Sequence, residues 1–341
     1  MSARPPPAIS VILPVRDAAA TLGAALDSLR AQTRPDWECL VVDDGSTDNS
    51  LALAARYAAE DRRFRLLARP PRGLVAALNE ALTEARGRFI ARLDADDVCA
   101  PERLAEQAAW LERDSTLGLV SCRVCFGGDR ERQAGFARHV DWLNSLLTPD
   151  AIARNRFIES PVAHPSVMFR HEPVVRWGGY RDGPFPEDYE LWLRWLERGV
   201  RFAKVPRELL VWSDRPNRLS RRDPRYSPAA FAAVKAPYLA RTLRRNLRGR
   251  ALWVWGAGRE TRRRLARLLA EGLTVSGFID VDRKKWGRHR DGRRVVGPDQ
   301  LPRPGEALVL AHVGKLGARE LIRERLVAAG FEEEQDFWVA A

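Results

Sequence analysis

The sequence predicts an α/β protein built as two successive domains, each with a doubly wound sheet, and three observations point there. Between residues 8 and 125, short apolar runs alternate with amphipathic stretches of helical length. Acidic groups follow the second and fourth of those runs. The alternation then breaks, and it restarts at Ala251 with a strand, a Gly-x-Gly turn and a helix. Strands separated by helices of this length imply parallel βαβ units.

In order, residues 9–13 (Ile-Ser-Val-Ile-Leu) read as a strand and 20–31 as an amphipathic helix. Residues 38–42 form a second strand that ends at Asp43-Asp44-Gly45-Ser46. A helix over about 49–59, a strand over 64–67 and a helix over 73–85 follow. The run 88–93 then ends at Asp94-Ala95-Asp96-Asp97, and 119–126 reads as a further strand. Residues 126–200 break the pattern, with a helix expected over 187–198. Residues 213–228 are polar, basic and punctuated by proline, so a mobile loop is expected there. Residues 241–250 read as the end of a linking helix. In the second domain, strands are expected at 252–255, 275–279, 294–296 and 307–311, with helices at 259–270 and 317–329. The expected division is therefore 1–240, a linker at about 241–250, and 251–341.

Composition narrows the function. The chain has 341 residues, 45% hydrophobic and 30% charged, which is ample for folded cores. No run is long enough to span a membrane, and the first residues, Met-Ser-Ala-Arg-Pro-Pro-Pro, lack the apolar stretch of a signal peptide. Cys122 and Cys125 form a lone C-x-x-C within a strand, with no second ligand pair for zinc, so the four cysteines read as reduced thiols and a cytoplasmic location is expected. The net charge of +12 is local. Residues 201–250 carry 14 Lys/Arg against 3 Asp/Glu, whereas 1–200 carry 26 against 29. A local excess argues against a general nucleic-acid binder. It suits one anionic partner, such as a diphosphate or the inner face of a membrane touched peripherally through 201–250; a solvated arginine-rich helix is the plain alternative.

The acidic cluster carries the most chemistry. Three carboxylates at a strand end lie where open α/β sheets bind ligands, and they repel one another unless a cation neutralises them. Mg²⁺ or Mn²⁺, bridging carboxylates to a diphosphate, is the fitting ion. Asp97 also stands where it would cap a helix following Pro101.

Five segments in order carry a resemblance: Ser10-Val-Ile-Leu-Pro-Val15, Val41-Val-Asp-Asp-Gly-Ser-Thr-Asp48, Arg92-Leu-Asp-Ala-Asp-Asp97, His164-Pro-Ser-Val-Met-Phe169 and Pro186-Glu-Asp-Tyr-Glu-Leu-Trp-Leu-Arg194. Through them residues 8–215 resemble family 2 glycosyltransferases of the GT-A fold. The resemblance implies a nucleoside-diphosphate sugar as donor, and a saccharide or lipid-linked acceptor in polysaccharide or glycolipid synthesis. It implies that Pro14, Asp43 and Asp44 hold the base and ribose, that Asp94 lies near the ribose, and that Asp96 ligates the metal. Asp188 then matches the general base of an inverting transfer, which needs one carboxylate to take the acceptor hydroxyl's proton. Glu187, His164 and Trp192 fall on the acceptor side. For each a structural role competes: Glu187 and Asp188 suit a helix N-terminus, His164 lies in an apolar stretch, and Trp192 and Trp195 have core-like helical spacing. Arg72 could reach the base or phosphate. Arg215, Arg218, Arg221 and Arg222 occupy the place of the family's closing segment, and the pattern does not choose among them. The Gln-x-x-Arg-Trp motif and membrane helices of processive members are missing, so transfer of single sugars is expected.

In the second domain, Gly256-Ala-Gly258 lacks the third glycine of the dinucleotide fingerprint, where Thr261 stands, and Asp280 after the second strand would suit a ribose. The pattern is similar to small Rossmann-like domains that bind nucleotide sugars. Docking or formation of a homo-oligomer is the favoured role, a second nucleotide site the alternative. Two other whole-chain readings remain: a non-catalytic nucleotide-sugar regulator, and a sugar-phosphate nucleotidyltransferase. The second would need a glycine-rich loop after the first strand, where Pro14-Val-Arg-Asp17 stands.

Overall fold

A computed structural model of the chain describes residues 6–215, 218–314 and 317–340. The extreme N-terminal segment and Pro216–Asn217 of the basic stretch lie outside the described residues. Two compact units emerge, one of residues 1–153, 161–183 and 190–223, the other of 154–160, 184–189 and 224–341.

The first unit holds an eight-stranded sheet. Its strands are β1 (Ile9–Val15), β2 (Trp37–Asp44), β3 (Phe64–Arg69), β4 (Phe89–Arg92), β5 (Val98–Cys99), β6 (Leu117–Gly127), β7 (Met168–Arg170) and β8 (Arg201–Ser213), in the order β3-β2-β1-β4-β7-β6-β8-β5. β3, β2, β1 and β4 run parallel, as the alternating pattern predicts. Beyond β4 the sheet is mixed: β7 is antiparallel to both β4 and β6, and β5 is antiparallel to β8. β7 and β8 were not legible as strands.

Side-chain alternation along β1 divides the interior. Ile9, Val11, Leu13 and Val15 face one apolar cluster with helices Ala19–Arg30 and Arg103–Arg113, through Leu22, Leu26, Leu104 and Leu111. Ile12 faces the opposite cluster, with Leu40 and Val42 of β2, helix Leu74–Glu84, and Leu191, Trp192 and Trp195. A period of two thus places a helical layer on each face.

Buried polar groups tie the mixed half together. Arg103, 1% exposed, donates from Nη2 to the Arg92 carbonyl at 2.7 Å and from Nε to Gln107 at 3.0 Å. Gln107 Nε2 donates to the carbonyls of Val120 and Ser166 at 2.9 and 2.8 Å. These bonds satisfy backbone groups where strand pairing is irregular.

The second unit holds β9 (Ala251–Trp255), β10 (Gly277–Ile279), β11 (His289–Arg290), β12 (Arg293–Val296), β13 (Ala307–Ala311) and β14 (Phe337–Val339), in the order β11-β12-β10-β9-β13-β14. All neighbours are parallel except the β11–β12 pair. Apart from β11, the order is that of a doubly wound Rossmann sheet, 3-2-1-4-5. The 20-residue helix Pro228–Leu247 clusters with this unit, capped by the Ser227 side chain on the Ala230 N–H. The stretch 213–228 contains two short helical turns, Leu219–Arg222 and Pro224–Tyr226, rather than one open loop. Among the described residues, no helix is long and apolar enough to cross a membrane.

Trp195 is fully buried, edge-on to Phe169 at 5.2 Å and Trp192 at 5.8 Å. Trp195→Ala should cost about 3–5 kcal/mol of stability. Urea unfolding followed by fluorescence is expected to show a lower midpoint, and an unshifted midpoint would contradict this packing.

Candidate active site

The end of β4 is built around a charge. Arg92 is buried in the strand, and its guanidinium pairs with the Asp94 carboxylate. Burial alone would lower the arginine's pKa; the Asp94 charge and hydrogen bond more than reverse this and hold it raised. The chain then turns, with the Asp97 N–H bonded to the Asp94 carbonyl at 3.2 Å. Oxygens of Asp94, Asp96 and Asp97 come within 4.8 Å of one another.

Burial, and then the adjacent Asp94 charge, push the Asp96 carboxyl up, against the pull of Arg218 and Arg92. Burial followed by the Asp94 and Asp96 charges pushes Asp97 well above its usual range. Asp97 does not cap a helix as expected. The next helix begins at Arg103 after Glu102, while Asp97 Oδ1 accepts the Ser213 N–H of β8 at 2.8 Å and Ser213 Oγ donates to the Asp96 carbonyl at 2.5 Å. Asp97 Oδ2 is buried with no hydrogen-bond partner among the described residues. Crowded carboxylates with an unmet buried oxygen fit a hard divalent cation, with Asp96 and its neighbours as donors.

The β2 end lies at the same edge of the parallel strands. Asp44 Oδ1 accepts the Arg72 N–H at 2.6 Å, Oδ2 accepts the Gly73 N–H at 2.9 Å, and Arg16 stands 3.5 Å away. Its carboxylate therefore fastens the 72–73 loop, and the Arg72 side chain is exposed. Asp43 Oδ2 accepts the Ser46 N–H at 3.1 Å, but buried Oδ1 has no partner among the described residues. Gly45 has φ +70°, and a Cβ there would meet Pro71 Cδ at 2.7 Å, so the turn requires glycine. Pro14 pairs in register with Val42 between these groups.

His164 is 8% exposed, its Nε2 lies 2.8 Å from Tyr180 Oη, and its ring is edge-on to Trp192 at 5.9 Å. Burial first, then the Arg92 charge, hold the imidazole well below its usual pKa, so it is neutral. Trp192 is fully enclosed in the apolar cluster. It presents no open face on which a sugar could stack, and the core role is the one observed.

Of the four candidate arginines, Arg218 is distinguished. Its charge acts on Asp96, and its guanidinium lies over Trp212 and Phe136 at 4.9 and 5.2 Å, with Asp214 at 3.6 Å. Arg221 instead pairs with Asp214. Arg92 opens the third resemblance segment, yet the resemblance implies no role for it. A lone arginine in an otherwise apolar strand was the signal, since such a charge requires a buried counter-charge.

Glu187 and Asp188 open the helix Glu187–Glu197 and fall in the second compact unit. Glu187 is 2% exposed and accepts the Tyr226 hydroxyl at 2.7 Å; burial, then the Glu187 charge, hold that phenol raised. Asp188 is half-buried, with Oδ1 2.7 Å from the Tyr189 N–H. At the second unit's glycine turn, Gly256 has φ +110°, and Asp280 is already engaged: Oδ2 accepts the Ala257 N–H at 2.9 Å and Lys285 Nζ at 3.0 Å, and Oδ1 accepts the Asp282 N–H at 2.9 Å.

A parallel half-sheet continued by antiparallel strands, with an acidic turn at its ligand edge, defines a GT-A glycosyltransferase fold. Residues 10–176 match the model of glycosyl transferase family 2, and the chain belongs to that family. It is 31% identical over 230 residues to EpsE of Bacillus subtilis, covering 65% of this chain and 78% of EpsE. It is 31% identical over 191 residues to the O-antigen biosynthesis glycosyltransferase WbnJ of Escherichia coli, covering 55% and 71%. Among solved structures, the mannosyltransferase PcManGT of Pyrobaculum calidifontis, in complex with GDP-Man and Mn²⁺, superposes with a TM-score of 0.50 at 25% identity, covering 71% of this chain and 65% of that one. S. aureus TarS 1–349 with UDP-GlcNAc shares the fold, with a TM-score of 0.54 at 19% identity over 70% and 72% of the two chains.

Removing one member of a buried ion pair strands the other. Asp94→Ala should therefore lower stability by about 3 kcal/mol, and the double variant Arg92→Met with Asp94→Ala should recover part of it. Thermal unfolding of both variants checks this; equal losses would show that Arg92 does not depend on Asp94.

Proposed function

We propose that the chain is an inverting, non-processive glycosyltransferase that moves one sugar from a nucleoside-diphosphate donor to an acceptor hydroxyl. The carrying observation is the acidic turn at the end of β4, with three carboxylates within 4.8 Å and the Arg218 charge acting on Asp96. Asp43, Asp44 and Pro14 border the edge where the nucleoside is held, with the unpartnered Asp43 Oδ1 available as an acceptor for a base or ribose donor. Asp94 stays fixed by Arg92 beside the ribose. Asp96, with Asp97 and Asp94 behind it, holds Mg²⁺ or Mn²⁺; when bound, that ion neutralises the diphosphate and stabilises its departure. Arg218 adds a positive charge on the same side.

Asp188 is the general base and takes the acceptor hydroxyl's proton as that oxygen attacks the anomeric carbon. Glu187, tied to Tyr226, positions the start of its helix, and neutral His164 with Tyr180 supports the acceptor side. One base with an acidic metal set suits displacement of a good leaving group, unlike the paired carboxylates of a hydrolase. The O-antigen biosynthesis glycosyltransferase WbnJ and AmsE, an amylovoran biosynthesis glycosyltransferase of Erwinia amylovora, support a polysaccharide or glycolipid acceptor. A cytoplasmic site of action, peripheral to the membrane, accords with such an acceptor.

Asp188→Asn should retain Mn²⁺-dependent stabilisation by UDP- or GDP-sugars in a thermal-shift screen while transfer falls by about 10²–10⁴-fold. Asp96→Asn should lose that stabilisation as well. Unchanged transfer in Asp188→Asn would remove the base assignment. A failure of every nucleoside-diphosphate sugar to stabilise the wild type would remove the donor reading.

A further inference from the structure

The second unit has its own ligand edge, and the residues there are cationic. Its sheet order changes direction between β9 and β13, and open α/β sheets receive ligands where such neighbouring strands diverge at their carboxyl ends. Three features meet there. The Gly256–Gly258 turn leads from β9 into the 12-residue helix Arg259–Ala270. The segment His312–Gly314 leaves β13, with the His312 N–H on the Trp255 carbonyl at 3.2 Å and Thr261 Oγ1 on the His312 carbonyl at 2.9 Å. The two loops are packed closely: a Cβ on Gly256 would lie 2.9 Å from Thr261 Oγ1 and 3.0 Å from Val313 Cγ2.

The side chains at this edge repel one another. A Cβ on Gly314 would lie 2.7 Å from Arg264 Nη1 and 3.2 Å from Nη2, so the guanidinium covers that glycine. Arg264 forms no hydrogen bond or ion pair among the described residues, and its charge acts on Lys235, Arg319 and His312. Arg319 donates from Nε to the Val313 carbonyl at 3.3 Å. His312 is 4% exposed, and its Nδ1 has no hydrogen-bond partner among the described residues. Lys235 is buried and donates to the carbonyls of Phe157 and Ile158 at 3.0 and 3.2 Å. Burial, then the Lys235 and Arg264 charges, lower the His312 pKa to about 3. The charge of Glu159 acts on both Lys235 and Arg319 from outside their own helices. Lys235 is satisfied in the interior, and Glu159 balances part of the charge. The Arg264 and Arg319 guanidinium groups, both against the His312–Gly314 segment beside a helix N-terminus, are therefore the ones an anion would join.

We infer that this edge is a second ligand site, distinct from the acidic turn of the first unit, and that it takes a diphosphate group with Arg264 and Arg319 as its principal contacts. Guanidinium forks match phosphoryl oxygens, and the N-terminal turn of helix Arg259–Ala270 favours negative charge. Asp280 is not needed as a ribose acceptor for this, since its oxygens already accept from the Ala257 and Asp282 N–H groups and Lys285. The site therefore recognises the diphosphate first, whether it comes as inorganic pyrophosphate or within a nucleotide.

The test is calorimetric titration of the full chain with pyrophosphate and, separately, with UDP, both in EDTA so that the acidic turn holds no cation and repels either anion. Wild type is expected to bind, Asp96→Asn to bind equally, and Arg264→Gln and Arg319→Gln each to bind at least tenfold more weakly. Arg264→Lys should retain an intermediate affinity. Tighter binding of UDP than of pyrophosphate identifies a nucleotide as the source; equal affinities identify the diphosphate alone. The inference fails if the wild type binds neither probe in EDTA. It also fails if binding is lost in Asp96→Asn, or if both Gln variants, with unfolding temperatures like wild type, bind as wild type does.

Discussion

The Arg92–Asp94 pair is the constraint on which the first unit's ligand edge depends. A guanidinium inside a four-residue strand cannot shed its proton, so the fold must supply a negative charge beside it. Asp94 is that charge, and its position sets the turn that follows. Arg103 takes the Arg92 carbonyl, the Arg92 N–H reaches the Val167 carbonyl at 3.0 Å, and Ser213 clasps the turn through Asp96 and Asp97. The carboxylates are thus held together by contacts from β4, β8 and helix Arg103–Arg113. Their mutual repulsion is built in before any ligand arrives, and a cation meets a site that needs little rearrangement.

The parallel half of the sheet was legible because each of its strands is followed by a helix whose apolar spacing can be counted. The mixed half was not. β7 has only three residues, and β8 carries Arg201, Lys204, Arg207 and Glu208 within thirteen, so neither shows an apolar alternation. Lys204 is fully buried there because the Leu143 and Pro161 carbonyls accept from its ammonium. Partners 61 and 43 residues away leave no local trace. The acidic turn was legible as chemistry, while the choice of Arg218 over its neighbours required knowing whose charge acts on Asp96.

The same reasoning redistributes the basic excess of residues 201–250. Read as a stretch, it resembled one patch for one anionic partner. In the fold its members serve different ends: Lys204 and Lys235 each satisfy backbone carbonyls in the interior, Arg207 and Arg250 pair with Glu106 and Asp336, and Arg218 lies over Trp212 with its charge acting on Asp96. A cation count along a chain is therefore weak ground for a membrane surface unless the charges emerge on one exposed face.

The second unit inverts the electrostatics of the first at a comparable sheet edge. In the first, carboxylates crowd with an oxygen unpartnered among the described residues; in the second, two guanidinium groups stand by an imidazole nitrogen likewise unpartnered among them. The dinucleotide pattern would place a free carboxylate after β10, yet Asp280 closes on its own glycine turn and on Lys285. A carboxylate so engaged rigidifies the loop and leaves the ligand edge net positive. The inferred diphosphate site therefore depends on Arg264 and Arg319, and it rests on which hydrogen bonds are already made rather than on the Gly-x-Gly spelling of the turn.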